Sequence, residues 1–402
     1  MIRRALGLGV AVALVAAQGA GAASAPSGLR PAGALLLFER DTGTVVYARN
    51  ANAELQVASL TKLMTAYVAV EREPESVVLT EQPYAATPGE SLANVPAGTR
   101  MALPDMLRAM LLPSGNDVAN SIAIDVGGSV PRFVALMKFW ASLLKLGRTG
   151  FTTPVGLDTP PGNHSTAFDI ARLANVLLRD PLVAAIVDER SARLADGQVV
   201  HNRNDLLGRY RWVVGVKTGY TVDSGYCMVG AARLDGVHLV SVVLGAPSVA
   251  ARDADTIALL RYGLERYRRA VIARTGQVFA RLRVAGHPHR QVRIVAAHRL
   301  ALVLASTVRL HAALRLPVKL TGPLPAGAVV GSIVVREDGR VTHRVPLITA
   351  LAVPAPPPPV HHSREWIIWA GVGGLLFGTL LGCSLTFMRR RARRSAVVAV
   401  SR

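Results

Sequence analysis

Lys62 and Lys217 stand out in this chain, because arginine supplies nearly all of its positive charges. Five of the 46 Lys and Arg residues are Lys, and Lys62 comes three residues after Ser59 in Ser59-Leu60-Thr61-Lys62. On a helix this spacing places the two side chains on one face. A serine hydroxyl needs a base within hydrogen-bond reach, and a neutral amine can be that base whereas a guanidinium cannot. The motif predicts Ser59 as a nucleophile and Lys62 as its general base. Its alternative interpretation is a capped helix start.

A second polar motif, Ser114-Gly115-Asn116, lies in a predicted loop between apolar helical stretches. A serine hydroxyl there can relay a proton, and an amide can hold a substrate carbonyl. The alternative interpretation is a helix N-cap, for which Asn116 or Asp117 is suitable.

The third motif, Lys217-Thr218-Gly219, ends an apolar strand that begins at Val213. Lys217 adds positive potential where a carboxylate would dock, and Thr218 offers a hydroxyl. Gly219 allows another backbone to approach closely. Without the other motifs, this segment is equally typical of a strand that ends in a turn.

The three motifs together have the order and rough spacing of the penicillin-recognising serine enzymes. The chain resembles one family of them, the low-molecular-weight penicillin-binding proteins that are serine-type D-alanyl-D-alanine carboxypeptidases. The likeness covers most of residues 30–350. The segments that carry it are Ala58–Thr65 (ASLTKLMT), Leu112–Val118 (LPSGNDV), His164–Asp169 (HSTAFD), Val214–Cys227 (VGVKTGYTVDSGYC), Leu244–Arg252 (LGAPSVAAR), Pro325-Ala326-Gly327 and Gly331.

This resemblance implies removal of the terminal D-alanine from peptidoglycan pentapeptide stems through an acyl-enzyme on Ser59. It also implies that β-lactam antibiotics are covalent inhibitors. The implied catalytic residues are Ser59, Lys62 and Ser114, and the implied substrate-binding residues are Asn116, Lys217, Thr218, Gly219, Tyr220 and Arg252. The backbone N–H groups of Ser59 and Tyr220 are expected to stabilise the oxyanion, and Thr218 and Arg252 to bind the terminal carboxylate. Burial and the charge of Lys217 are expected to keep Lys62 neutral. Neither a metal nor an organic cofactor is expected.

The chain departs from the family pattern outside the three motifs. A block that usually reads Asn-Pro-His-Gly-Leu is Thr153-Pro154-Val155-Gly156-Leu157 here, and Phe139 and Lys145 replace smaller residues. These differences are expected to affect substrate fit more than chemistry.

Two other classes of protein remain as alternatives. A β-lactamase shares the motifs and adds a glutamate for deacylation between the second and third of them, but Asp188 and Glu189 are not in a matching block. A non-catalytic protein that binds the cell wall would not need both Ser59 and Lys62.

The elements that must position these motifs form a mixed α/β (α+β) domain over residues 30–269. We expect an antiparallel sheet flanked by helices, with a hairpin turning at Asp41–Thr44 and a helix over Leu60–Val70. Three successive strands are predicted from Val213, with Asp235-Gly236 as a tight turn. Residues 275–353 alternate between apolar and polar side chains, are rich in Val and Leu, and have predicted turns at Gly322-Pro323 and Asp338-Gly339. They predict a small all-β domain.

The two ends of the sequence predict export and anchoring. Residues 1–23 have the charge, apolar core and small residues of a signal peptide. Residues 354–365 are a proline-rich linker, and residues 366–388 are long and apolar enough for a transmembrane helix. The Arg-rich residues 389–402 predict a cytoplasmic tail. The expected location is therefore the cell membrane, crossed once, with the catalytic body outside the cytoplasm and the lipid bilayer as a partner.

A formal net charge of +20 is compatible with nucleic acid, anionic lipid or an acidic polymer as partner. No basic–aromatic module or DNA-binding motif is present in the sequence, so we expect no nucleic-acid partner. The two cysteines, Cys227 and Cys383, lie in the globular part and in the terminal apolar run, and we expect no disulfide between them.

Overall fold

The computed structural model describes residues 25–157 and 162–358. These residues divide into two compact units. The first contains the described residues up to Arg274 together with Arg299–Ala313 and Val334–His343. The second contains Thr275–His298, Leu314–Ile333 and the described residues from Arg344 onward.

The helices of the described residues all lie in the first unit. A 3₁₀ helix, Ala58–Thr61, leads directly into the first α-helix. The α-helices are α1 (Lys62–Arg72), α2 (Leu103–Leu111), α3 (Asn116–Gly127), α4 (Val130–Leu143), α5 (Ala167–Leu177), α6 (Pro181–Asp188) and α7 (Val249–Arg266).

The strands extend through both units. They are β1 (Ala34–Glu39), β2 (Thr44–Arg49), β3 (Leu55–Gln56), β4 (Val78–Thr80), β5 (Arg100–Ala102), β6 (His164–Ser165), β7 (Ser191–Arg193), β8 (Val199–His201), β9 (Val213–Thr221), β10 (Gly225–Leu234), β11 (Val237–Ala246), β12 (Tyr267–Ala273), β13 (Val278–Val284), β14 (His287–Ala296), β15 (Leu300–Ala305), β16 (Leu310–Arg315), β17 (Lys319–Leu320), β18 (Val329–Glu337) and β19 (Arg340–Thr349).

The central sheet of the first unit has the order β2-β1-β11-β10-β9, and every neighbouring pair is antiparallel. Successive side chains of a strand point to opposite faces. In β1, Leu36 and Phe38 join a core that contains α1 to α6, whereas Leu35 and Leu37 join a second core that contains α7. The sheet is therefore covered by helices on both faces, as predicted.

The predicted elements around the motifs are confirmed. The β1–β2 hairpin turns through Asp41–Thr44, and β9, β10 and β11 follow one another as antiparallel neighbours. Asp235 and Gly236 both have positive φ in the turn between β10 and β11, which is the conformation that a two-residue type I′ turn requires. The helix expected over Leu60–Val70 begins as a 3₁₀ turn and becomes α-helical at Lys62.

The β-rich part is not a single contiguous segment. In the second unit, β13 pairs with β14, and β14 pairs with the end of β19. Strand β15, however, pairs with β12 along Tyr267↔Ala305 to Ala273↔Leu300, which holds it in the first unit. This ladder is why Arg299–Ala313 groups with the first unit although residues 275–353 were predicted as one domain.

Within the described residues, no helix is long and apolar enough to span a membrane. The predicted signal peptide, transmembrane helix and cytoplasmic tail lie outside the described residues, as do Cys383 and the last residues of the linker. Cys227 is a buried free thiol in β10, and burial raises its pKa to about 11.

Candidate active site

Ser59 lies on the 3₁₀ helix at the edge of a cleft and is partly exposed, while its neighbours Ala58 and Leu60 are buried. Ala58 has a φ of +46°, a region that residues with a Cβ rarely occupy. The chain thus turns sharply just before the serine. Such strained positions concentrate at functional sites, where the surrounding structure holds them.

Lys62 is completely buried one turn after Ser59. Its Nζ lies 3.1 Å from Ser59 Oγ, and it donates to Asn116 Oδ1 at 2.6 Å and to the carbonyl of Val155 at 2.9 Å. Its pKa is lowered to about 7, mainly by burial and to a smaller extent by the charge of Arg203, although Asp117 and Glu90 oppose the shift. The expected neutral amine is supported: Arg203 lowers the pKa of Lys62, and the repulsion between Lys62 and Lys217, which lowers the pKa of Lys217, acts on both amines.

The segment that departs from the family pattern is part of the Lys62 environment. Asn163 holds it, because its Oδ1 accepts from the backbone N–H groups of Thr152 and Thr153 at 2.6 and 3.1 Å. A Cβ on Gly156, whose φ is +89°, would clash with the carbonyl of Ala58. The segment therefore packs directly on the serine turn. Lys62 contacts the Val155 backbone, so the side-chain difference at this position leaves the contact intact.

The second motif lies between α2 and α3, as predicted. Ser114 has a φ of +68° and is 3% exposed, and its Oγ has no hydrogen-bond partner among the described residues. Asn116 begins α3, and its Nδ2 donates to Glu90 Oε2 at 2.7 Å. Neither Asn116 nor Asp117 caps α3, since the N-cap residue is Gly115 and no side chain caps it. Asp117 instead accepts from the backbone N–H groups of Ala93 and Asn94.

The third motif lies on β9, beside the 3₁₀ helix. Lys217 is buried, and its Nζ donates to the carbonyl of Thr218 at 3.0 Å. Burial lowers the pKa of Lys217 well below its usual value, and the charges of Lys62, Arg203 and Arg252 lower it further. A Cβ on Gly219 would lie 3.2 Å from the Ser59 nitrogen, so β9 passes directly along the backbone of the nucleophile.

Tyr220 and Arg252 both line the cleft. Tyr220 is 53% exposed and stacks on Tyr226, with ring centroids 4.3 Å apart. Arg252 is in the first turns of α7 and is buried, and its guanidinium lies 2.7 Å from a carboxylate oxygen of Asp253. Arg252 is therefore not an ordinary surface arginine, but it already has one acidic partner.

A cleft of about 410 Å³ brings most of the predicted residues together. It is lined by Ser59, Gly89, Ser91, Ser114, Arg203, Asp205, Thr218, Gly219, Tyr220, Tyr226, Val249 and Arg252. Lys62, Asn116 and Lys217 lie beneath it, connected through the contacts given above. A larger cavity of about 760 Å³ around Arg190 and His201 contains none of the three motifs.

Sequence reasoning missed several members of this site. Arg203, the Val155 carbonyl, Asn163 and Glu90 all come from segments between the motifs. Arg203 is one of many arginines, and a backbone carbonyl has no sequence signature. The Pro-x-Gly pattern of residues 154–156 is the signal that marks a tight segment here.

The acidic residues weighed for a β-lactamase do not line the cleft. Glu189 pairs with Arg108 at 3.0 Å, and Asp188 pairs with Arg233 at 3.6 Å. Both carboxylates thus already pair with arginines, and neither is placed to activate a water beside Ser59. This arrangement gives no support to the β-lactamase alternative.

A model of the D-alanyl-D-alanine carboxypeptidase family matches residues 21–248, more than half of the chain. The chain belongs to this family. A relative in Escherichia coli, the D-alanyl-D-alanine carboxypeptidase DacC, is 32% identical over 331 residues, which cover 78% of this chain and 82% of that protein. The predicted family and activity are confirmed: the chain is a serine-type D-alanyl-D-alanine carboxypeptidase.

Solved structures of penicillin-binding proteins are similar to this carboxypeptidase. Penicillin binding protein 6B from Escherichia coli is 27% identical, with a TM-score of 0.60 over 82% of this chain and 99% of that chain. The ampicillin-bound penicillin-binding protein D2 of Listeria monocytogenes is 29% identical, with a TM-score of 0.54 over 58% of this chain and 97% of that chain. The roles of the individual residues stay predictions.

Proposed function

We propose that Ser59 attacks the carbonyl of the penultimate D-alanine of a peptidoglycan stem peptide and releases the terminal D-alanine. The observation that carries this proposal is the pair of acceptors on Lys62. A neutral amine has two hydrogens and one lone pair. Since the hydrogens are directed to Asn116 Oδ1 and the Val155 carbonyl, the lone pair is left for the hydroxyl of Ser59, 3.1 Å away.

In the acylation step, the Ser59 proton moves to Lys62 Nζ while the Oγ–carbon bond forms. The carbonyl oxygen becomes an oxyanion, which the backbone N–H groups of Ser59 and Tyr220 stabilise. The close approach of Gly219 to the Ser59 nitrogen supports this role, because Tyr220 is the next residue of β9.

Collapse of this intermediate breaks the carbon–nitrogen bond of the terminal peptide. The leaving amine must gain a proton, and Ser114 passes it on from Lys62. A buried hydroxyl without a protein partner among the described residues suits a relay that becomes paired only when substrate is present. Water then hydrolyses the ester on Ser59 and frees the shortened peptide. Asn116 has one Nδ2 hydrogen left for the peptide backbone, since the other is donated to Glu90 and its Oδ1 accepts from Lys62.

The terminal carboxylate docks among cations. Burial lowers the pKa of Lys217, and the nearby charges of Lys62, Arg203 and Arg252 lower it further, so positive charges are crowded here. A substrate carboxylate relieves this mutual repulsion, so the site favours a chain end over a continuing peptide. Thr218 also lines the cleft and adds a hydroxyl.

β-Lactam antibiotics would enter the same reaction. Their amide carbonyl is attacked by Ser59 in place of the peptide, and an acyl-enzyme results. The ampicillin-bound relative supports this partner.

We propose further that the catalytic body lies outside the cytoplasm, because peptidoglycan stem peptides are there. The signal-like residues 1–23 and the apolar residues 366–388 support export followed by anchoring in the bilayer.

Replacing Arg252 by alanine tests the recognition of the chain end. It removes a charge-assisted contact worth about 1.5–3 kcal/mol. We expect kcat/KM for a pentapeptide with a free carboxyl terminus to fall about ten- to a hundredfold. The same pentapeptide with an amidated carboxyl terminus is expected to be a poor substrate of the wild type, and the substitution should change its kcat/KM little.

Arg261→Ala is the matched control, since Arg261 is exposed on the same helix. Arg261→Ala should leave kcat/KM for both peptides unchanged. Equal losses on both peptides in Arg252→Ala, or no loss on either, would contradict a role in carboxylate binding. Equal cleavage of the free and amidated peptides by the wild type would contradict the proposed carboxypeptidase specificity.

A further inference from the structure

Glu90 is a carboxylate one amide group away from the proposed base. Its Oε2 accepts from Asn116 Nδ2 at 2.7 Å, and Asn116 Oδ1 accepts from Lys62 Nζ at 2.6 Å. Glu90 lies between Gly89 and Ser91, which both line the cleft. The backbone N–H of Asn116 donates to the carbonyl of Ser91, so this loop is fastened to the start of α3.

The loop also fixes the charge of Glu90. Tyr84 donates to Oε2 at 2.6 Å, and the hydroxyl and backbone N–H of Thr87 donate to Oε1 at 2.6 and 2.9 Å. Partial burial opposes ionisation, but hydrogen bonds from Thr87, Tyr84 and Asn116 outweigh it and lower the pKa of Glu90 to about 2. Glu90 is an ionised, acceptor-only group at neutral pH.

An acceptor-only neighbour determines which way an amide faces. The two ends of the Asn116 side chain have nearly the same shape, and only the hydrogen-bond partners distinguish them. If the amide were reversed, its oxygen would face the Glu90 carboxylate and its N–H₂ would face Lys62. Lys62 would then lose one of the two acceptors that direct its lone pair to Ser59.

We propose that Glu90 is a positioning residue of the carboxypeptidase reaction, which holds the Asn116 amide so that its oxygen orients Lys62 toward Ser59. This inference rests on the proposed roles of Ser59 and Lys62. Glu90 acts through Asn116 and touches neither substrate nor Ser59. It is also poorly suited to activate the deacylating water, because four donors occupy its two oxygens.

The charge of Glu90 has a second consequence for the pH dependence of acylation. The charged groups facing Lys62 are Glu90 and Asp117, which raise its pKa, and Arg203, which lowers it; Lys217 faces Lys62 from β9. Lys62 is active as a base when neutral, so acylation increases as pH rises through its pKa of about 7. Removing the negative charge of Glu90 lowers that pKa and moves the rise to lower pH.

The effect of the Glu90 charge is tested with Glu90→Gln in the full chain. The second-order rate of acylation by a fluorescent penicillin is measured from about pH 5 to 9. Gln keeps an acceptor for Asn116 but has no charge. We expect the midpoint of the rise to move down by about half a pH unit or more. In Glu90→Leu, which has no acceptor, the rate on the plateau should fall about tenfold or more.

Two controls distinguish positioning from support of the loop. Tyr84→Phe removes one loop hydrogen bond but keeps the carboxylate on Asn116, and Glu75→Gln removes an exposed carboxylate of the same unit. In both variants the acylation rate should rise with pH at the same midpoint as in wild type. A wild-type plateau rate in Glu90→Leu would overturn the positioning role. A wild-type midpoint in Glu90→Gln, or the same shift in Tyr84→Phe, would overturn the effect of the Glu90 charge. Slower release of the bound penicillin with unchanged acylation would overturn both, since Glu90 would then be a deacylation base.

Failure of this inference is distinguishable from failure of the proposed function. If wild-type protein is labelled at Ser59 with a rise near pH 7 and Glu90→Gln behaves identically, only the role of Glu90 is wrong. If wild-type protein is not labelled at Ser59, the proposed function itself is wrong.

Discussion

Replacing Ser59 by alanine is expected to reduce kcat/KM for a pentapeptide ending in D-Ala-D-Ala by about 10⁴-fold or more while the protein stays folded. The hydroxyl is the atom that forms the acyl-enzyme, and no adjacent group can replace it. Ser59 Oγ lies 3.1 Å from Lys62 Nζ. Ser59 is partly exposed, so its loss leaves no large cavity and the Tm should change little.

Ser142→Ala is the matched control, because Ser142 is exposed on α4. It should retain full activity and an unchanged Tm. Activity of Ser59→Ala within tenfold of wild type would contradict its role as the nucleophile.

Lys62→Arg is expected to slow acylation by roughly a hundredfold or more, which is the usual size of a general-base contribution. Guanidinium keeps the positive charge but cannot accept a proton at any pH near neutrality. Because Lys62 is completely buried, the bulkier side chain also has to be accommodated, and the Tm must be measured alongside the rate.

Lys62→Met has a similar length and no charge, and it should lose activity to a similar extent without placing a permanent cation in the core. Lys138→Arg, at an exposed position of α4, should behave as wild type. If both Lys62 variants fold and acylate at near-normal rates, another group activates Ser59.

The three motifs could be predicted from the sequence because each combines reactive residue types at a short, fixed spacing. The spacing of Ser59 and Lys62 needs one helical turn, and the structure provides that turn. The strands β9, β10 and β11 were predicted from their apolar runs and from Asp235-Gly236, which are local signals.

The rest of the site depends on contacts between residues distant in sequence. The hydrogen bond from Lys62 to the Val155 carbonyl joins residues 93 positions apart, and Asn163 reaches Thr61 across 102 positions. No periodicity or short motif encodes such pairings. Arg203 could not be distinguished from the other arginines, although its charge contributes to the lowered pKa of Lys62.

The domain boundary illustrates the same limit. Alternation over residues 275–353 correctly indicated strands, but it could not indicate which strand each would pair with. The pairing of β15 with β12 puts part of that region into the first unit. Register between strands is set by tertiary packing, so it becomes visible only in the folded chain.

The acyl-enzyme on Ser59 is tested most directly by mapping the covalent adduct of wild-type protein with penicillin. The full chain is incubated with the antibiotic, digested with a protease and analysed by mass spectrometry. We expect one adduct, with the mass of the opened penicillin, on the peptide that contains Ser59. An adduct on any other residue, or no covalent adduct at all, would contradict the assignment of Ser59 as the nucleophile.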